Sequence, residues 1–229
     1  MKLTKHIPNF ITTLNLFSGS IAVYFAFQGD YHISFFAIVL AAVFDFMDGF
    51  AARLLKAYSP MGKELDSLAD VISFGMAPGA IAFSMLEQSA LPGWIRFTAF
   101  IIPVFSALRL AKFNIDERQS ESFIGMPTPA NALFWIGISY SFSEFMIANP
   151  WLILLAIVVM SLFLVAEIPM LALKFNGLEW ITNQTRFVFL AGSIMLIILF
   201  QMQACWMIIV WYIISSVLLP LFDKDRPTR

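Results

Sequence analysis

Eight runs of nearly continuous apolar residues, each ended by turn formers, leave this chain few folds to adopt. A helix of about 20 such residues, rising about 1.5 Å per residue, crosses the hydrocarbon of a bilayer. The runs fall at about 10–28, 33–54, 65–87, 94–112, 129–148, 150–170, 186–203 and 205–222. Between them stand Gly29-Asp30, Ser59-Pro60-Met61-Gly62, Leu91-Pro92-Gly93, Pro127-Thr128-Pro129, Asn149-Pro150 and Asn176-Gly177, which punctuate helices. The chain is 60% hydrophobic and only 13% charged, with mean hydropathy +0.82. Soluble domains carry about a quarter charged residues. The expectation is an all-α, polytopic membrane bundle of about eight transmembrane helices, forming a single domain over residues 1–229. The first run has no small-residue cleavage site, which argues against a removable signal.

Charge placement orients the bundle. With the N-terminus inside, Lys2, Lys5, Arg53, Lys56, Lys63, Arg109, Lys112, Arg118, Lys174, Arg186, Lys224, Arg226 and Arg229 gather on one face. Only Arg96 falls on the other, so thirteen of the 14 cations obey the positive-inside rule. Both termini are therefore expected in the cytoplasm, and the protein in the cytoplasmic (inner) membrane. A net charge of −1 gives no reason to invoke nucleic acid. The single cysteine, Cys205, excludes an intrachain disulfide and reads as packing. His6 and His32 belong to no motif, and Glu144 and Glu167 near span ends read as interfacial.

Against this apolar background, four aspartates stand in a fixed frame: Asp45, Asp48 and Gly49, then Ala52-Arg53, then Gly62, Asp66 and Asp70. Each carboxylate in hydrocarbon costs roughly 2.5–3.5 kcal/mol. Asp45 and Asp48 are three apart, and Asp66 and Asp70 four apart, so each pair shares a helix face. The short cationic connection Arg53–Lys63 makes the two helices antiparallel neighbours with their carboxylates facing across the seam. Hard oxygen donors with no His or Cys nearby suit Mg²⁺ or Mn²⁺. Two such ions would neutralise the charge and clamp a diphosphate for displacement at phosphorus, with the site facing the cytoplasm. Gly49, Ala51, Ala52 and Gly62 keep the approach shallow, and Arg53 offers a phosphate a planar fork. Small residues in membrane helices ordinarily serve packing. That accounts for any one position but not for the whole frame. A divalent-cation transporter would also bury aspartates, yet it predicts a path reaching both faces.

This frame resembles the signature of the CDP-alcohol phosphatidyltransferase family, D-x-x-D-G-x-x-A-R-x8-G-x3-D-x3-D, at every fixed position. The resemblance implies a CDP-activated lipid, two divalent ions, an alcohol acceptor and CMP as product. It implies Asp45, Asp48, Asp66 and Asp70 as metal ligands, Asp70 also as general base, and Gly49, Ala52, Arg53 and Gly62 at the CDP moiety. Asn9, Thr12 and Asn15 are spaced for one helix face, where they could bond ribose or cytosine. Asn9 has an equal claim as a helix cap.

Three further stretches separate acceptors: Ser73-Phe74-Gly75-Met76-Ala77-Pro78, Ala107-Leu108-Arg109-Leu110-Ala111-Lys112-Phe113-Asn114, and Phe123-Ile124-Gly125-Met126-Pro127-Thr128-Pro129-Ala130. Together they resemble the membrane-embedded phosphatidylserine synthase branch, with Lys112 where arginine is commoner. That places the catalytic core at about 8–132 and makes 133–229 additional helices. The branch implies CDP-diacylglycerol and L-serine as substrates and a homodimer among membrane lipids. Arg109, Ser73, Lys112 and Asn114 are the candidate acceptor contacts. Glycerol 3-phosphate, inositol phosphate or choline are rival acceptors; the first two would want a denser cationic pocket.

Overall fold

A computed structural model describes residues 6–116, 123–171 and 180–222, with the side chains of 180–182 and 218–222 outside the description. Lys2, Lys5, Arg118, Lys174, Lys224, Arg226 and Arg229 of the charge pattern lie outside the described residues. Helix α1 runs Ile7–Phe27 and α2 Tyr31–Leu54. Asp30 caps α2 by accepting from the Ile33 amide at 3.0 Å. Helix α3, Pro60–Asp70, opens with Ser59 accepting from the Gly62 amide at 3.0 Å and Pro60 in the first turn, where no amide donor is needed. It continues without a break through a π-helical segment, Val71–Met76, into α4, Ala77–Glu87. Gly75 lies inside this wider segment and Pro78 just after it. Proline cannot donate to the preceding turn, and a wider turn absorbs the missing bond.

A 3₁₀ segment, Ile95–Phe100, leads into α5, Ile101–Ile115; α6 is Thr128–Ala148 and α7 Pro150–Val165. After α8, Trp180–Phe200, the 3₁₀ turn Gln201–Gln203 reverses the chain into α9, Ala204–Phe222. The sixth apolar run departs from expectation. Its helix stops at Val165, and Pro169–Met170 (β2) pairs antiparallel with Phe123–Ile124 (β1). Pro169 disfavours helix at the residue before it, which frees this stretch for a ribbon.

Among the described residues, five helical segments are long and apolar enough to cross a membrane: Ile7–Phe27, Tyr31–Leu54, Pro60–Glu87, Ile95–Ile115 and Asn183–Val217, the last spanning α8 and α9. Phe10, Phe17, Phe46, Trp151 and Ile198 point outward, as lipid-facing side chains do. The chain is an integral membrane protein of all-α design.

Helix α1 forms the spine, packing against α2, α3, the π segment and α4. Its approach to the π segment is close: a Cβ on Gly19 would sit 2.7 Å from Ser73 Cα. Gly137 plays the same part between α6 and α9, where a Cβ would fall 2.9 Å from Trp206 Cβ. Small residues let membrane helices gain van der Waals contact that lipid cannot match. Ala22, Ala41, Phe74, Ile81, Ile102 and Trp135 belong to one buried core. A second core, with Met126, Met160, Leu164, Phe189 and Tyr212, ties α7, α8 and α9 to the ribbon.

Candidate active site

Asp45 and Asp48 project from one face of α2, and Asp66 from α3. One carboxylate oxygen from each lies within 4.8 Å of the other two. Asp48 is 6% exposed, while Asp45 and Asp66 are half-buried. Asp48 Oδ2 and Asp66 Oδ1 are buried without a hydrogen-bond partner among the described residues. Three unneutralised carboxylates at this separation repel strongly in a low-dielectric setting. The donor set is all oxygen with converging orphaned lone pairs, so it fits a hard divalent cation.

Asp70 is not part of that triplet. It sits a turn deeper on α3, 7% exposed, and its Oδ1 accepts from Asn15 Nδ2 at 3.4 Å. It remains within electrostatic reach of Asp45, Asp66 and Arg109. The expected ligands Asp45, Asp48 and Asp66 converge, and Asp70, expected as a ligand and as general base, is their deeper neighbour. Asn15 changes role as well. Fully buried, it faces Asp70 instead of a nucleotide, and its backbone oxygen accepts from Ser73 Oγ at 3.1 Å.

A cavity of about 540 Å³ opens between α1, α2 and the start of α3. Asn9, Thr12, Gly49, Ala52 and Gly62, all expected at a nucleotide, line it beside Asp48 and Asp66. Asn9 is not the helix cap, since α1 begins at Ile7. Thr12 donates to the Pro8 carbonyl at 3.0 Å. Arg53 does not line the cavity. It is exposed, and its Nε folds back onto the Gly49 carbonyl at 3.1 Å. Lys63, Tyr58 and Ser59 do line it and were not singled out from the sequence. Their signal was position: all three fall within the frame's variable spacing between Arg53 and Asp66.

The expected acceptor contacts scatter. Ser73 is fully buried in the α1 seam with its hydroxyl donated to Asn15, so it presents nothing to a cavity. Lys112 pairs with Glu167 at 3.1 Å, which gives that glutamate an ion-pair partner on α5 beyond its interfacial reading. Asn114 Nδ2 donates to Ser67 Oγ at 2.8 Å and its carbonyl accepts from Lys63 Nζ at 3.0 Å, fastening the end of α5 to α3. Arg109 lies within electrostatic reach of Asp70: it is 7% exposed, stacked over Phe113 at 4.8 Å, and its Nε has no hydrogen-bond partner among the described residues.

This architecture has named relatives. The chain is 35% identical over 144 residues to a CDP-diacylglycerol–serine O-phosphatidyltransferase of Bacillus subtilis, covering 63% of this chain and 81% of that one. Proteins of the same name from Methanocaldococcus jannaschii and Mycobacterium leprae are 34% and 33% identical over 155 and 174 residues. These cover 68% and 72% of this chain; the chain spans 71% of the former relative but only 57% of the latter. The family model for CDP-alcohol phosphatidyltransferases matches residues 5–221. With that match running almost the length of the chain, and with the frame's carboxylates converging in space, the chain belongs to the CDP-alcohol phosphatidyltransferase family.

Proposed function

We propose that this protein transfers the phosphatidyl group of CDP-diacylglycerol to the hydroxyl of L-serine, releasing CMP. The observation that carries this reading is the carboxylate triplet of Asp45, Asp48 and Asp66, of which Asp48 and Asp66 line the cavity together with Gly49, Ala52 and Gly62. The shared name of the relatives supports serine as acceptor. Asp45, Asp48 and Asp66 would hold divalent ions, Mg²⁺ or Mn²⁺, with Asp70 beside them. Such ions supply charge neutralisation at the diphosphate and at the displaced oxygen.

The chain's own groups do the rest. Gly49, Ala52 and Gly62 leave room for the nucleotide, and Lys63 brings a cation to the cavity wall. Asp70, held by Asn15, takes the proton from the serine hydroxyl as that oxygen attacks the lipid-side phosphorus. The bond from this phosphorus to the bridging oxygen breaks, CMP leaves with the bridging oxygen, and the proton passes to solvent. Eight crossings with both termini inside would set this site at the cytoplasmic surface, where serine and CMP are exchanged. Exposed apolar helix faces admit the acyl chains laterally.

Purified protein given CDP-diacylglycerol and serine, glycerol 3-phosphate, inositol phosphate or choline in turn tests the reading by CMP release. Serine alone should support turnover, and chelation should stop it. Faster release with another alcohol, or indifference to chelator, would overturn it.

A further inference from the structure

Two ladders of buried side chains, polar below their first rungs, run beside the π segment, and the chemistry so far uses neither in full. On α5 the ladder is Ile102, Ser106 and Arg109; on α6 it is Trp135, Asn131 and Thr128. Ile102 and Trp135 belong to the same buried core as Phe74 of the π segment. Ser106 and Arg109 stand four and seven residues after Ile102 on α5, and Asn131 and Thr128 four and seven residues before Trp135 on α6. At about 1.5 Å per residue, Ser106 and Arg109 lie roughly 6 and 10 Å along α5 from Ile102, and Asn131 and Thr128 lie at the same spacings along α6 from Trp135. Both α5 and α6 pack on the π segment, and a Cβ on Gly75 would sit 3.0 Å from Ser106 Cβ. Asp70 immediately precedes the segment and lies within electrostatic reach of Arg109.

These side chains are buried and unsatisfied. Ser106, Thr128 and Asn131 are 0% exposed. Ser106 Oγ, Arg109 Nε, Thr128 Oγ1 and both polar atoms of Asn131 lack a hydrogen-bond partner among the described residues. An orphaned polar atom in a dry interior costs about 1–3 kcal/mol, so five of them in one seam call for a polar occupant. The set mixes a cation, an amide that both donates and accepts, and two hydroxyls. That composition suits a small molecule carrying both charges, with a carboxylate for the guanidinium and an ammonium for the amide and hydroxyl oxygens. It suits a second phosphate poorly, since Arg109 is the one cation in it.

We infer that the seam between α5, the π segment and α6 seats the acceptor, a small zwitterionic amino acid, with Arg109 at its carboxylate and Asn131 and Thr128 at its ammonium, presenting its hydroxyl to Asp70. This deepens the proposed reaction and rests on it. Specificity then lies in α6 as well as α5, in a turn that supplies no ligand to the carboxylate triplet.

The experiment uses full-length protein in lipid nanodiscs, with serine KM, CDP-diacylglycerol KM and melting temperature measured for each variant, and serine binding followed by thermal shift. Thr128→Val keeps shape and loses the hydroxyl; Thr128→Ser keeps the hydroxyl. Asn131→Leu removes both polar atoms. Thr128→Val and Asn131→Leu should raise serine KM tenfold or more, leave CDP-diacylglycerol KM within twofold, and abolish the serine-dependent thermal shift. Thr128→Ser should restore serine KM to within threefold of wild type. Unchanged serine KM in Thr128→Val overturns the seat and leaves the atoms to ordered water. A wild type that shows no thermal shift with serine overturns it too. Serine binding without CMP release fails the proposed reaction alone, while turnover with unaltered variants fails the seat alone.

Discussion

Asn15 on α1 donates its side-chain amide to Asp70 on α3 at 3.4 Å, and its backbone oxygen accepts from Ser73 Oγ at 3.1 Å. One residue of the first helix thus grips the third on both sides of the junction where α3 widens into the π segment. A carboxylate that must meet a substrate hydroxyl gains from a fixed rotamer, and Asn15 is the polar side chain bonded to it among the described residues. Replacing Asn15 by Ala removes a hydrogen bond to a charged group, worth about 1.5–3 kcal/mol. Serine-dependent kcat should fall roughly tenfold to a hundredfold, with CDP-diacylglycerol KM little changed. Steady-state kinetics on both substrates checks this; a rise in KM with kcat intact would assign Asn15 to binding.

Asp70 stands apart from the triplet, which separates base from ligand in an experiment. Asp70→Asn is nearly isosteric and keeps a partner for Asn15. It removes the proton acceptor, and turnover should fall by about 10²–10⁴. Divalent-cation affinity should change less than in the triplet variants. Manganese binding followed by electron paramagnetic resonance, alongside CMP release, distinguishes the two. Equal loss of binding in Asp70→Asn and Asp48→Asn would make Asp70 a full ligand.

The triplet carries a stability signature of its own. Asp48 Oδ2 and Asp66 Oδ1 are buried without partners, and three carboxylates crowd within 4.8 Å. In chelator that crowding is uncompensated, so Asp48→Asn should melt above the wild type, by a few degrees for about 1 kcal/mol. With divalent ion present the order should reverse, because the wild type alone gains full binding energy. Thermal unfolding with and without Mg²⁺ reads the crossover. A variant less stable in both conditions would show the carboxylates bonded to something else.

How much of this was legible in sequence depends on range. The apolar runs reflect bilayer thickness, a length any chain must meet, so α1, α2, α5 and α6 fall where composition puts them. The Asp45–Asp48 spacing is a local helical fact and it survived folding. Partners distant in the chain were not legible. Lys112 and Glu167 are 55 residues apart, and neither carries a sign of the other. Asn15 and Asp70 are likewise 55 apart. The ribbon of Phe123–Ile124 and Met170–Pro169 depends on backbone pairing that apolar composition conceals. Arg53 shows a further limit: its position in the frame is fixed, but the frame does not reveal that its side chain folds back onto the Gly49 carbonyl.

Gly49 and Gly62 share the cavity and invite opposite outcomes on gaining a methyl group. A Cβ at Gly49 meets nothing within 4 Å, so the helix tolerates it and the methyl projects into open space. A Cβ at Gly62 would fall 2.9 Å from Asn9 Oδ1 and 3.0 Å from Ser59 Oγ, the atom that caps α3. Gly49→Ala should therefore leave the melting temperature at or slightly above wild type, since alanine favours helix by about 1 kcal/mol. Its cost should appear as a several-fold rise in CDP-diacylglycerol KM, with serine KM unaffected. Gly62→Ala should lower the melting temperature, because Asn9 or the Ser59 cap must give way, and losing such a cap costs about 1 kcal/mol. Kinetics and melting curves on the pair discriminate cleanly. If Gly49→Ala binds the nucleotide lipid normally, the cavity wall at Gly49 is not where the substrate lies, and the pocket's assignment to CDP fails with it.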